Sequence, residues 1–251
     1  MCTGAAFVAG GIYAIDRLFP RVFHGKSVVM EGRLATSDRS REVVARIAPA
    51  LSAPLAQKGH ALGAPLLVRI FKEPKELEVW LLDKASGRFA LFRTYPIRKY
   101  SGALGPKLKE GDGQAPEGFY SVTPERMNPL SRFHLSFDVG YPNDFDRSLG
   151  RTGSAIMVHG GGMSIGCFAM GDEAIEEIYT LAESALRNGQ STFSVHIFPF
   201  RMTDAMMKAH EGSHWLDFWR NLKEGYDYFE NKGMPGDVVV EGGRYALRDP
   251  R

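Results

Sequence analysis

The segment LLVRIFKEPKELEVWLLDKASGRFALFRTYPI (Leu66–Ile97) decides the fold class. Three runs dense in Leu, Ile, Val and aromatic residues, LLVRIF, ELEVWLL and RFALFRTYPI, are separated by KEPK and DKASG. Branched and aromatic side chains fit a pleated surface, whereas Pro, Gly, Asp and Ser interrupt it, so the pattern predicts strands divided by turns. Links this short join antiparallel neighbours, because parallel pairs need a long crossover. The expectation is an antiparallel meander.

Downstream, SGALGPKLKEGDGQAPEGFYSV (101–122) is long, rich in Gly and Pro, and ends as a strand. HLSFDVGYP (134–142), SAIMVHG (154–160) and TFSVHIFPF (192–200) supply three more. DEAIEEIYTLAESALRNG (172–189) is different, with Ile175, Ile178, Tyr179, Ala182 and Leu186 on one helical face. Asp172 reads as its N-cap and Gly189 as its stop.

Upstream, REVVARIAPALSAPLAQ (41–57) spaces Val43, Val44, Ile47, Leu51 and Leu55 as a helix does. Asp38 or Ser40 is the expected cap, and Pro49 and Pro54 are expected to break the segment into pieces. In the tail, DAMMKAHEGSHWLDFWRNLKEGYDYFE (204–230) reads as helical, with Trp215, Phe218, Trp219 and Leu222 forming a packing face. DVVVEGGRYAL (237–247) reads as a hairpin. The predicted class is mainly β with α additions. A β domain over residues 61–200 would carry a partly helical N-terminal extension (1–60) and a helical and hairpin C-terminal extension (201–251) packed on it.

Composition narrows the function. The chain has 251 residues, 44% hydrophobic and 24% charged, enough to build a core without disulfide staples. The net charge of +2 comes from interleaved acids and bases with no concentrated basic tract, which argues against nucleic acid as a partner. Ala5–Ile15 is apolar but too short to span a bilayer, and it lacks the positive region of a signal peptide. The two cysteines, Cys2 and Cys167, form neither a disulfide framework nor a zinc-finger set. Cys2, beside the start, reads either as the lipid-bearing residue of a processed lipoprotein or as an incidental residue.

Chemistry concentrates in IMVHGGGMSIGCFAM (156–170). A strand delivers His159, three glycines follow, and Cys167 lies just before the 172–189 helix. A free thiol is only slightly ionised at neutral pH, so a cysteine nucleophile needs a base nearby. A glycine-permitted turn can also aim backbone N–H groups at a developing oxyanion. HGGG and GMSIG around Ser164 imitate two serine-hydrolase motifs. Those motifs belong to separate strand–helix crossings, and here they share one loop with no alternating βαβ pattern, which disfavours that class. His159 and Cys167 lack further ligands at metal-site spacing, since His196, His210 and His214 lie downstream without pattern.

Beyond this loop, SGALGPKLKEGDGQAPEGFY (101–120), NPLSRFHLSFDVGYPNDFDRSLGRTG (128–153), MVHGGGMSIGCFAMGD (157–172) and HIFPFRMTDAMM (196–207) occur in an order that resembles the YafK-type branch of the L,D-transpeptidase (YkuD-domain) family. The resemblance implies a β-sandwich catalytic domain whose cysteine is acylated by a peptidoglycan stem peptide at meso-diaminopimelate. It makes Cys167 the nucleophile and His159 the general base, oriented by a backbone carbonyl. Gly166 and Cys167 would give N–H groups to the oxyanion, with Gly160 and Ser164 shaping the loop. Ile165 departs from the family pattern, which usually has histidine there. The branch resembles hydrolases that release a covalently bound outer-membrane lipoprotein from peptidoglycan. The alternatives are 3–3 cross-linking, protein tethering, and a non-catalytic peptidoglycan-binding module. Lys107, Arg151 and Arg201 are candidate contacts for substrate carboxylates, and Asp138 and Asp146 read as loop residues. The resemblance implies no cofactor or metal and a periplasmic, Gram-negative setting, where a single internal thiol avoids disulfide capture.

Overall fold

A computed structural model describes residues 28–249. The expectations for Cys2 and for 5–15 fall outside the described residues. A short hairpin, β1 (Val29–Glu31) and β2 (Leu34–Thr36), leads into α1 (Asp38–Gln57). Ser37 caps α1, accepting the Ser40 N–H, while Ser40 Oγ accepts the Ser37 N–H in return. The cap is therefore one residue earlier than expected, and Ser40 is its reciprocal partner.

The helix is also unbroken by Pro49 and Pro54, contrary to the sequence reading. An interior proline leaves the carbonyl four residues back without its donor and costs about 3 kcal/mol. Those carbonyls belong to Ala45 and Ala50, both exposed, where water can satisfy them. Meanwhile Val43, Leu51 and Leu55 are buried in the core, which offsets the cost.

The meander is present as β3 (Leu66–Phe71), β4 (Glu76–Asp83) and β5 (Arg88–Pro96), paired antiparallel in sequence order. Two later strands complete this sheet, β6 (Gly118–Val122) and β11 (Phe193–Phe198), in the order β5-β4-β3-β11-β6. β11 runs parallel to β3 and antiparallel to β6, so the sheet is mixed.

Everything between β6 and β11 is a crossover, and it carries the candidate site. It contains β7 (Met127–Asn128), β8 (Ser136–Asp138), α2 (Asp144–Ser148), β9 (Met157–His159), β10 (Phe168–Ala169) and α3 (Asp172–Arg187). The four short strands form a second sheet, β10-β9-β8-β7, with β9 and β10 parallel. Both sheets, α1 and α3 share one apolar core, including Val68, Ile70, Phe137, Val158, Ile175 and Ile178.

The tail forms α4 (Asp204–Ala209), α5 (Leu216–Lys232) and the expected hairpin of β12 (Asp237–Glu241) and β13 (Arg244–Arg248). The single helical run read from sequence is thus two helices, divided at the Gly212–Ser213 turn. α5 covers the outer face of the five-stranded sheet with Trp219, Leu222, Tyr226 and Phe229, so all six residues of β3 are buried. Arg69, on that face, packs its guanidinium 4.6 Å from the Tyr226 ring and pairs with Glu230.

At the end of β3 sits a fully buried ion pair. Lys72 Nζ lies 2.9 Å from Glu117 Oε1 and also donates to the carbonyls of Gly105 and Ala115. Glu117 accepts the Gly105 N–H and Trp219 Nε1–H. Burial pulls the Lys72 ammonium below the usual lysine range, while the Glu117 charge opposes the shift. Removing one member strands the other without compensation. Glu117→Ala should cost about 3–5 kcal/mol in urea unfolding; a loss below 1 kcal/mol would show that the pair is not structural.

Candidate active site

The parallel register of β9 and β10 sets Ala169 beside His159 and Phe168 beside Val158. One step back, Cys167 stands against Met157, whose N–H points at the sulfur from 3.4 Å. Cys167 therefore immediately precedes the strand that pairs with the one ending at His159.

His159 is buried, and its Nδ1 lies 2.6 Å from the Gly160 carbonyl oxygen. Only a protonated Nδ1 can donate to a carbonyl, so this contact fixes the tautomer and leaves the lone pair on Nε2. Phe133 packs on the ring at a centroid distance of 4.7 Å. Burial holds the imidazole pKa below its usual value, against the opposing effect of the Gly160 carbonyl, which keeps the ring neutral at pH 7.

Cys167 is half-buried and free. Its thiol donates to the Ala155 carbonyl at 3.6 Å. Burial pushes the thiol pKa up; the Met157 N–H pulls it down, the Asp138 charge raises it, and the Lys107 charge lowers it. Burial thus disfavours the charged form of both members of the candidate pair. Such a pair would use base-assisted deprotonation in place of a standing thiolate–imidazolium pair.

Gly160 is sterically required. A Cβ on Gly160 would lie 2.6 Å from Asp172 Oδ1 and 2.8 Å from the Phe133 carbonyl oxygen. Asp172 does not cap α3 as expected; Gly171 holds that position, and Asp172 Oδ1 instead accepts the Gly161 N–H at 2.7 Å. The helix start is thereby bolted to the loop. Gly166 has φ +88, and its N–H is given to Ser101 Oγ, so in this arrangement it is not free for an oxyanion. Ser164 donates its hydroxyl to the Cys167 carbonyl, tightening the turn and engaging the group that a serine hydrolase would need. Met163 and Ile165 project outward, 66% and 86% exposed.

The three expected anion contacts have internal partners. Arg151 is buried against Asp146 and over Phe145. Arg201 lies over Phe71 and pairs with Glu76 and Glu78 of β4, which places it with the C-terminal aromatic cluster. Lys107 pairs with Asp112 and is the one of the three whose charge acts on Cys167. Asp138 accepts the Gly140 N–H, and Asp146 completes the α2 capping box from Asn143. Phe133 and Ser101 are contacts that the sequence reading missed, and no pattern marks either of them. Phe133 is held from the N-terminal extension, because Arg39 donates to the carbonyls of Ser131 and His134 on either side of it.

Among the described residues, no cluster of three or more His, Cys, Asp and Glu is placed to hold a metal. Cavities of about 350 and 450 Å³ lie elsewhere, one lined by β6, α2 and β12 and the other by Glu31, Arg33 and Arg187.

A free thiol just before β10 and a buried imidazole at the end of β9 thus lie on neighbouring parts of one β-rich domain. Residues 79–234 match the model of the L,D-transpeptidase catalytic domain, YkuD, and the chain belongs to this family. It is 45% identical over 193 residues to YafK of Escherichia coli K12, covering 77% of this chain and 78% of that protein. YafK is itself named provisionally as an L,D-transpeptidase, and its counterpart in E. coli O157:H7 matches equally. Two crystal structures of the helical cell shape determining protein Pgp2 from Campylobacter jejuni are distantly similar. A point mutant has TM-score 0.43 and 20% identity over 72% of this chain, and the match spans 64% of the Pgp2 chain, under two thirds of its length. The other form has TM-score 0.43 and 17% identity over 75% and 79% of the two chains.

The electrostatics predict a pH response. Alkylation of Cys167 by iodoacetamide should rise with pH through a midpoint above the ordinary thiol range. Asp138→Asn removes a charge that raises the thiol pKa and should lower the midpoint, whereas Lys107→Met should raise it. Equal midpoints in all three proteins would refute this field.

Proposed function

We propose that this chain is a cysteine-dependent peptidoglycan enzyme that acts at the meso-diaminopimelate carbonyl and releases covalently bound lipoprotein, an amidase of the Gram-negative periplasm. The observation that carries the reading is the His159 Nδ1 contact with the Gly160 carbonyl, which leaves Nε2 as the candidate base, on the strand that pairs with the one following Cys167.

In the resting state the thiol faces Ala155, and rotation about the Cys167 side chain turns it toward Nε2. Contacts of this kind commonly tighten only with substrate bound. His159 takes the thiol proton, and the sulfur attacks the diaminopimelate carbonyl. The oxyanion is met by the backbone N–H of Cys167. The imidazolium returns its proton to the departing amine, which is the side chain of the attached protein, and a thioester remains. Water, deprotonated by His159, then attacks the thioester; acid and thiol are regenerated.

The exposed Met163 and Ile165 beside the thiol support a macromolecular substrate, because exposed apolar groups at a site rim favour contact with another chain. The second reading is transpeptidation, in which a diaminopimelate amine replaces water; the provisional naming of the relatives favours it.

Sacculi bearing lipoprotein and bare sacculi should be incubated with the protein and the products weighed by mass spectrometry. Free lipoprotein with intact stem peptides is the expected outcome. New 3–3 cross-links without release would overturn the amidase reading in favour of transpeptidation. Cys167→Ala and His159→Ala should each lower turnover by at least about 10³-fold while unfolding like the parent. A Cys167→Ala protein that keeps full turnover would sink the mechanism.

A further inference from the structure

We infer that Ser101 is a positioning residue for acyl transfer at Cys167, locking the peptide plane that leads into the thiol; the inference rests on the function proposed above. Ser101 Oγ accepts the Gly166 N–H and donates its own O–H to the Gly113 carbonyl at 2.7 Å, so the hydroxyl is engaged in both directions. Its own carbonyl accepts the Ala115 N–H at 3.0 Å.

The segment that holds Ser101 is itself rigid. Gln114 Nε2 donates to the carbonyls of Ala103 and Gly105, and Gln114 Oε1 accepts the Ala103 N–H. A Cβ on Gly102 would fall 2.1 Å from Gln114 Oε1, so the loop closes only around glycine there. Gly105 and Ala115 are in turn gripped by the Lys72–Glu117 pair. The hydroxyl is therefore tied to the end of β3 through a chain of hydrogen bonds, of which those of the Lys72–Glu117 pair are buried.

On the other side of the bond, Gly166 has φ +88 and no side chain to restrain it. A glycine explores more backbone space than any other residue, and this one immediately precedes the thiol. Fixing its N–H fixes the plane of the 165–166 peptide and narrows the orientation of the next, whose N–H belongs to Cys167. That donor stabilises an oxyanion only if it is aimed before the charge develops. The Ser101 bond thus trades one possible oxyanion donor, the Gly166 N–H, for precise aim of the other. Sulfur alkylation develops no oxyanion and should not sense the bond.

The test uses the described protein with two readouts on the same cysteine. Acyl-Cys167 formation is followed by intact mass with muropeptides prepared from lipoprotein-bearing sacculi, and alkylation is followed with iodoacetamide. Ser101→Ala should lower kcat for acylation about 10- to 100-fold, within the range for a disturbed oxyanion donor. KM and the alkylation rate should stay within about twofold, and Ser101→Thr, which keeps the hydroxyl, should restore most of the loss. If Ser101→Ala acylates as fast as wild type, the role of Ser101 is refuted while the proposed function stands. If acylation and alkylation fall together and Thr does not rescue, the residue is merely structural and the inference fails. If wild type itself forms no acyl-Cys167, the proposed function fails and this inference with it.

Discussion

The Lys72–Glu117 pair is the constraint on which three segments remote in sequence converge. Lys72 immediately follows the central strand, Glu117 immediately precedes β6, and Trp219 reaches Glu117 from the C-terminal helix. Charges this deep would be untenable without full hydrogen bonding, and here four further bonds to Gly105, Ala115 and Trp219 provide it. A buried pair adds little net stability over apolar packing. Its value here is geometric, because its partners must meet in one arrangement. That arrangement sets where the 101–117 segment lies, and so what stands over the Cys167 turn.

The site is held from several directions by parts of the chain remote in sequence. The N-terminal helix reaches it through Arg39, which holds the carbonyls around Phe133, and through Arg46, which pairs with Glu176. Glu176 also receives His134 Nε2. α3 contributes Asp172 to the glycine loop, and β8 contributes the charge of Asp138. His159 and Cys167 therefore sit on, or just before, short strands with few residues of their own, within a surrounding frame of polar contacts.

Much of the fold was legible because local patterns decide it. The β3–β5 meander, the α3 face and the terminal hairpin follow from period and turn chemistry alone. The failures share a cause, since each depended on tertiary context. Pro49 and Pro54 look like breakers until the exposure of Ala45 and Ala50 is known. Asp172 looks like a cap until the loop it actually bonds is in place. At the site, the thiol and imidazole stood out through their spacing around glycines, whereas Ser101 and Phe133 are common residue types whose importance comes only from what they touch. Lys107, Arg151 and Arg201 looked available because a sequence does not display the carboxylates that occupy them.

The parallel pairing of β11 with β3 has a consequence for how the molecule comes to exist. An elongating chain presents its central strand early, yet one flank of that strand stays open until the whole crossover has emerged and β11 arrives. Non-local closures of this kind are slow, and unpaired strand edges invite association with other chains. Maturation of the thiol's surroundings is thus a late event, and premature encounters along the bare edge of β3 are the chief hazard on the way.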